Sequence, residues 1–142
     1  MTIVDKNDST LMKIINFFVK PFCPNFMQNY VTTIGTTIYA PNGLLTECAL
    51  AHEMVHVEDY KTYGLWFTLS YLFLLPCLWT MRAYWERRAY AVSLRWMKNN
   101  TNDQALLDLY KAKISYQFTS SAYLWMWPNK TAVDAWIEEV LK

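Results

Sequence analysis

The sequence has few of the residues that cross-link, bend or strongly charge a protein. Its 142 residues include three glycines, five prolines and three cysteines, and only 18% are charged. The odd cysteine count and the absence of metal-like spacing argue against a disulfide scaffold and favour a reducing compartment. Lys and Arg total 13 against 12 Asp and Glu, so the basic excess that supports nucleic-acid binding is missing. The first ten residues lack the apolar stretch of a signal peptide, and we therefore expect a cytoplasmic protein.

Apolar and aromatic residues are abundant. The set AVILMFWYC makes up 54% of the chain and the aromatics 17%, which excludes an intrinsically disordered protein. The length suits a single domain with one hydrophobic core. Aromatic side chains carry large apolar areas, so we expect part of this surface to contact a protein partner or a membrane.

Hydrophobic periodicity and turn residues predict a mainly helical α+β domain with a small β hairpin. Thr46 is placed to cap the N-terminus of the second predicted helix, and Gly64 to end it. Thr101 or Asn102 is expected to cap a later helix, and Thr131 the last one. The predicted elements are a helix at 11–20, a hairpin at about 26–40, helices at about 46–63 and 77–98, and C-terminal helices within 103–141.

The second predicted helix contains the pattern HExxH, and the motif uses both histidines of the chain. Residues four apart on a helix lie about 40° apart on one face, so His52 and His56 can reach the same cation. Glu53 lies about 100° from His52 around the helix and flanks the cation, where it can accept a proton from water. The spacing therefore predicts a metal site. The alternative is that the two histidines lie at helical spacing by chance.

A catalytic zinc site needs a third protein ligand and one open position. No third histidine exists, which excludes the HExxHxxGxxH class. Glu86 is the favoured third ligand because it is an acid on an otherwise largely apolar helical face. The alternative for Glu86 is an ordinary ion pair with Arg82, one turn earlier. Asp59 is the rival ligand, but three ligands from one straight helix rarely converge, so we expect Asp59 to orient a histidine.

Residues 62–81 carry no charge, and this segment is long and apolar enough to span a membrane. A straight helix from Val57 to Glu86 would place that carboxylate about 45 Å from the histidines. A membrane span is therefore incompatible with a shared metal ion. Gly64 and Pro76 offer places for the segment to fold back, and we favour a folded hairpin over the membrane span. Residues 62–81 would then retain a face for a protein partner or a membrane contact.

The combination of HExxH on one helix and the pattern E-x-x-A-Y beginning at Glu86 resembles the gluzincin type of zinc metallopeptidase. In particular it resembles the minimal zincins of phage and bacterial genomes, in which a short hairpin precedes the metal helix. The resemblance covers roughly residues 26–100. It implies that His52, His56 and Glu86 bind Zn²⁺, and that Glu53 is the general base in the hydrolysis of a peptide or protein substrate by metal-activated water.

Peptide hydrolysis also requires a hydrogen-bond donor for the developing oxyanion. Tyr90 lies on the same face as Glu86 and is the favoured donor, with Tyr123 as a second candidate. The second hairpin strand, 36–40, is expected to pair with an extended substrate through its edge.

A second hypothesis is a structural or interaction protein, for example a phage virion or assembly component, in which the zinc site is structural or inactive. It remains open beside the peptidase hypothesis, with membrane association or residence in a phage particle as the alternative location. The sequence does not indicate an oligomeric state.

Overall fold

The computed structural model describes residues 1–21, 23–73, 81–121 and 125–142. The fold is α+β and mainly helical, as predicted. Within the described residues the strands are β1 (Thr2–Asp5), β2 (Thr32–Ile34) and β3 (Thr37–Ala40), and the α-helices are α1 (Thr10–Val19), α2 (Phe26–Asn29), α3 (Glu47–Tyr63), α4 (Leu65–Phe73), α5 (Met81–Asn100), α6 (Gln104–Thr119) and α7 (Lys130–Val140).

The sheet has one strand more than the predicted hairpin, and the hairpin itself begins later in the chain than predicted. β2 and β3 form the antiparallel hairpin, with Thr33 opposite Ile38, and Gly35 in the turn has a φ of 63°. Residues Phe26–Asn29 form α2 instead of strand, so the predicted hairpin start at 26 is wrong. β1 was not predicted; it pairs in parallel with β3, and this long-range pairing has no local signal.

The strand order β1-β3-β2 places β3 in the centre of the sheet. Both of its edges are hydrogen-bonded, to β1 in parallel and to β2 in antiparallel orientation. The prediction that 36–40 pairs with a substrate is therefore wrong. Within the described part of the chain, β2 lies at an outer edge of the sheet.

Local capping fixes the ends of α3 as predicted. The Thr46 hydroxyl oxygen accepts a hydrogen bond from the Ala49 amide at 3.2 Å, and Gly64 ends the helix with a φ of 58°. The later caps each differ from the predicted residue. Asp103 caps α6 and Asn129 caps α7, because these side chains reach the free amides of the first turn.

The described part of the uncharged segment, in α4, folds back on α3, the helix that carries the HExxH motif. α4 begins immediately after Gly64, and both α4 and α5 pack against α3. Among the residues that the structure describes, no helix is long and apolar enough to cross a membrane. Pro76 and the predicted start of the next helix at 77–80 lie outside the described residues.

The C-terminal helices support α5. Leu94 of α5, Phe118 of α6 and Ile137 of α7 belong to one buried hydrophobic cluster. α6 and α7 pack against each other and against α5. The last third of the chain thus stabilises the helix that carries Glu86, a role that the motifs did not indicate.

Candidate metal centre

The HExxH motif lies in the middle of α3 and its side chains are largely buried. Glu53 is 8% and His56 6% exposed, and His52 is partly buried. The two imidazole rings lie 5.0 Å apart between centroids. The helical spacing therefore places both histidines on the face of α3 that meets α5.

Glu86 reaches this pair from α5. Its side chain is 3% exposed, and its Oε2 atom lies 3.4 Å from His52 Nε2 and 3.9 Å from His56 Nε2. The predicted folding back of the chain is what brings this carboxylate to the histidines.

The three side chains form a group that can hold a metal ion. One ligand atom from each of His52, His56 and Glu86 lies within 4.8 Å of the others. Donor atoms at about 2.0–2.1 Å from a tetrahedral ion are separated by about 3.3–3.4 Å, so the two distances to Glu86 Oε2 are close to those required. Two imidazoles and one carboxylate are a donor set that zinc uses in catalytic sites. The residues therefore fit a zinc ion.

Ser93 of α5 fixes the orientation of His52. Its hydroxyl donates to the Ala89 carbonyl oxygen at 3.2 Å and lies 3.3 Å from His52 Nδ1. With the Ser93 hydroxyl proton directed at Ala89, a proton on His52 Nδ1 would donate to the Ser93 oxygen. In that tautomer, Nε2 of His52 carries the lone pair that would bind a metal ion.

His56 and Asp59 are arranged differently from the prediction. Asp59 Oδ1 forms an ion pair with Arg88 at 2.7 Å. Among the described residues, His56 Nδ1 and Asp59 Oδ2 are both buried and have no hydrogen-bond partner. Asp59 is therefore held by α5 and makes no direct hydrogen bond to the histidine that it was expected to orient.

Glu53 is held by the sheet. The Thr33 hydroxyl on β2 donates to Glu53 Oε2 at 2.6 Å. Burial raises the pKa of Glu53, while the nearby His52 and this hydrogen bond act against the rise. The sequence did not predict this contact, because it depends on how β2 docks on α3.

Aromatic side chains surround the site. The ring of Tyr90 lies 4.4 Å from that of His52, and its hydroxyl donates to Gln117 Oε1 at 2.8 Å. Tyr71 of α4 donates a hydrogen bond to Glu86 Oε1, and its ring lies 5.8 Å from that of His56. Tyr71 was missed because nothing within the uncharged segment distinguishes this residue from its apolar neighbours. Tyr123 lies outside the described residues.

Burial and mutual charge shift the pKa values of the three candidate ligands. Burial alone would raise the pKa of Glu86, but its hydrogen bond with His52 and the charges of both histidines lower it to about 2. Burial lowers the pKa of His56 to about 4. For His52, burial acts to lower the pKa, but Glu86 outweighs it and the pKa is raised. At neutral pH the group thus contains an anionic carboxylate and a neutral His56, and Glu86 favours the protonated form of His52. A metal ion would take the place of that proton.

Comparisons with models of known protein families, with curated proteins and with solved structures found no match for this chain.

Proposed function

We propose that the protein is a zinc-dependent peptidase. The observation that carries this proposal is the convergence of His52, His56 and Glu86, with ligand atoms within 4.8 Å of one another, next to the buried carboxylate of Glu53. Two histidines and one acid leave a position open for water or substrate, which a purely structural zinc site does not need.

His52, His56 and Glu86 would hold the ion. Zinc in such a site lowers the pKa of water toward neutrality and polarises a carbonyl group. Glu53 would accept the proton of the attacking water. Because Thr33 occupies Glu53 Oε2, the other carboxylate oxygen is the atom left for that proton. Its raised pKa suits a general base that works near neutral pH.

The substrate proposed is an extended peptide that pairs with the outer edge of β2. This strand is hydrogen-bonded on one side, to β3, and its Thr33 contacts Glu53. A peptide added to the edge of β2 would therefore run past the catalytic carboxylate. This replaces the pairing with 36–40 that the strand order excludes.

A tyrosine is the neutral donor proposed for the developing oxyanion. Tyr90, favoured from the sequence, directs its hydroxyl to Gln117, whereas Tyr71 directs its hydroxyl to Glu86. The contact with Glu86 brings the Tyr71 hydroxyl beside the candidate metal ligands, and we infer that Tyr71 is the better placed of the two. To stabilise the oxyanion, its single proton would turn from Glu86 to the substrate oxygen.

The test combines zinc content with peptide cleavage. The purified protein should contain one zinc per chain and cleave members of a peptide library, and Glu53→Gln should keep the zinc and lower the rate by about 10²–10⁴. Glu58→Gln is the matched control, because Glu58 lies on the same helix with a side chain 61% exposed, and it should cleave normally.

Two results would decide against the proposal. Cleavage that persists at the wild-type rate in Glu53→Gln would come from a contaminant or another site. Zinc that is retained without cleavage of any peptide, together with unfolding on chelation, would instead support a structural zinc protein.

A further inference from the structure

Helix α1 exposes apolar side chains that an ordinary amphipathic helix would bury. Only Met12 is buried on this helix, while Leu11, Ile14, Phe17 and Phe18 are exposed. The two phenylalanines are 76% and 70% exposed. Exposed aromatic side chains on a helix whose opposite face is buried indicate a surface that binds an apolar partner.

The exposed residues of α1 form one continuous stripe. Leu11, Ile14 and Phe18 follow the spacing i, i+3, i+7, and Phe17 adjoins them with its ring 5.4 Å from that of Phe18. We call these four residues the exposed face of α1. The opposite side of the helix, which carries Met12, packs against the protein.

The charged residues on α1 and at its C-cap are both lysines. Lys13 and Lys20 are exposed on the edge of the same stripe. The sequence contains no Asp or Glu between Asp8 and Glu47. Residues 9–46 therefore carry two lysines and no acid, while the whole chain has a net charge of +1.

We propose that the exposed face of α1 binds the surface of an anionic lipid bilayer. Helices with an apolar face bordered by lysines lie in the membrane interface, with the apolar side chains about 5–10 Å deep and the cations among the phosphates. Phe17 and Phe18 would enter the acyl boundary, while Lys13 and Lys20 would pair with anionic headgroups. The helix would lie on the bilayer without crossing it.

A second copy of the chain fits this face less well. The four exposed side chains offer on the order of 450 Å², roughly half of the about 800 Å² that each partner of a stable dimer buries. Two copies of the face would also bring four lysines together, and α1 itself has no acid to pair with them. α4 exposes Leu65, Trp66 and Leu69 as well, but its sequence from Leu65 to Phe73 has no cation, so it does not select an anionic surface.

The experiment is sedimentation of the full chain with vesicles of phosphatidylcholine alone or mixed with phosphatidylserine. We expect the wild type to sediment with the mixed vesicles, and less at high salt. The double change Phe17→Ser and Phe18→Ser should abolish sedimentation. The double change Lys13→Gln and Lys20→Gln should weaken binding to mixed vesicles roughly thirtyfold, at about fivefold for each lysine.

Leu109→Ser on α6 is the matched control, since Leu109 is 68% exposed and lies outside the proposed surface; it should bind like the wild type. The thermal midpoints of all variants should equal that of the wild type, because the changed side chains are exposed. Equal binding by the wild type and the phenylalanine variant would overturn the proposal. So would loss of binding in Trp66→Ser with normal binding in the phenylalanine variant, or a wild-type dimer that the phenylalanine changes dissociate.

Discussion

The Thr33 hydroxyl donates to Glu53 Oε2 at 2.6 Å, and this hydrogen bond joins the edge strand of the sheet to the candidate catalytic carboxylate. Strand β2 and helix α3 are also in direct contact. One hydroxyl therefore sets the orientation of Glu53, and it does so from the strand along which we propose that the substrate lies. In the proposed mechanism, substrate pairing and the placement of the base are linked through Thr33.

The first prediction concerns this link. Thr33→Val keeps the side-chain shape but removes the donor, so Glu53 should lose its fixed orientation. We expect kcat for peptide cleavage to fall about tenfold or more, with unchanged zinc affinity. Thr33→Ser restores the hydroxyl and should recover most of the activity. Equal rates for the wild type and Thr33→Val would show that Glu53 does not depend on β2.

The second prediction concerns the orientation of His52. Ser93→Ala removes the acceptor for His52 Nδ1–H, and partners that orient a ligating histidine typically affect metal affinity 10–100-fold. We expect zinc affinity, measured by competition with a chelator, to fall within that range. Ser70→Ala is the matched control: Ser70 is also buried but bonds to Phe67 and Trp85. If both variants bind zinc like the wild type, the His52–Ser93 contact does not contribute.

The third prediction concerns Tyr71. Tyr71→Phe keeps the ring beside His56 but removes the hydrogen bond to Glu86. Zinc affinity should fall several-fold because Glu86 loses a partner that orients it, and the cleavage rate should fall further if the hydroxyl also contacts the reacting carbonyl. Tyr63→Phe, at a tyrosine that is 45% exposed, should change neither quantity. A Tyr71→Phe variant indistinguishable from the wild type would remove Tyr71 from the site.

The fourth prediction concerns the buried ammonium of Lys6. Lys6 is fully buried, and its Nζ donates to the Phe26 carbonyl oxygen at 3.0 Å. Burial lowers the pKa of Lys6 from 10.5 to about 8. Below pH 8 both the folded and the unfolded chain carry the proton, so the cost of burying the charge is present in full. Between pH 8 and 10.5 the unfolded chain binds more protons than the folded one, and this contribution to stability rises with pH.

The measurement for Lys6 is the free energy of unfolding in denaturant at a series of pH values, compared with Lys6→Met. Other groups titrate alike in both proteins, so their effects cancel in the difference. The wild type should gain on the order of 3 kcal/mol relative to Lys6→Met between neutral pH and pH 10.5. Parallel curves over that range would show that the Lys6 pKa is not lowered.

The sequence predicts those residues of the site whose signal is a local spacing or the chemistry of a single side chain. The spacing of His52 and His56 sets their common face through helical geometry, and Glu86 stands out because an acid on an apolar face needs a partner. The caps of α3 were read correctly from Thr46 and Gly64, since a cap depends on residues next to it.

The contacts that were missed depend on distant parts of the chain. β1 pairs with β3 across more than thirty residues, and this pairing turns the predicted substrate strand into the centre of the sheet. Thr33 and Tyr71 contact the site only because β2 and α4 dock on α3. No pattern within either segment distinguishes these side chains from their neighbours.

The central claim is that His52, His56 and Glu86 share one metal ion, and zinc titration of the protein and Glu86→Ala tests it most directly. We predict one zinc per wild-type chain, with an affinity at least about a hundredfold higher than that of Glu86→Ala, and a thermal midpoint that rises with zinc in the wild type. Equal zinc affinity in the two proteins, or no zinc binding by the wild type, would contradict the account.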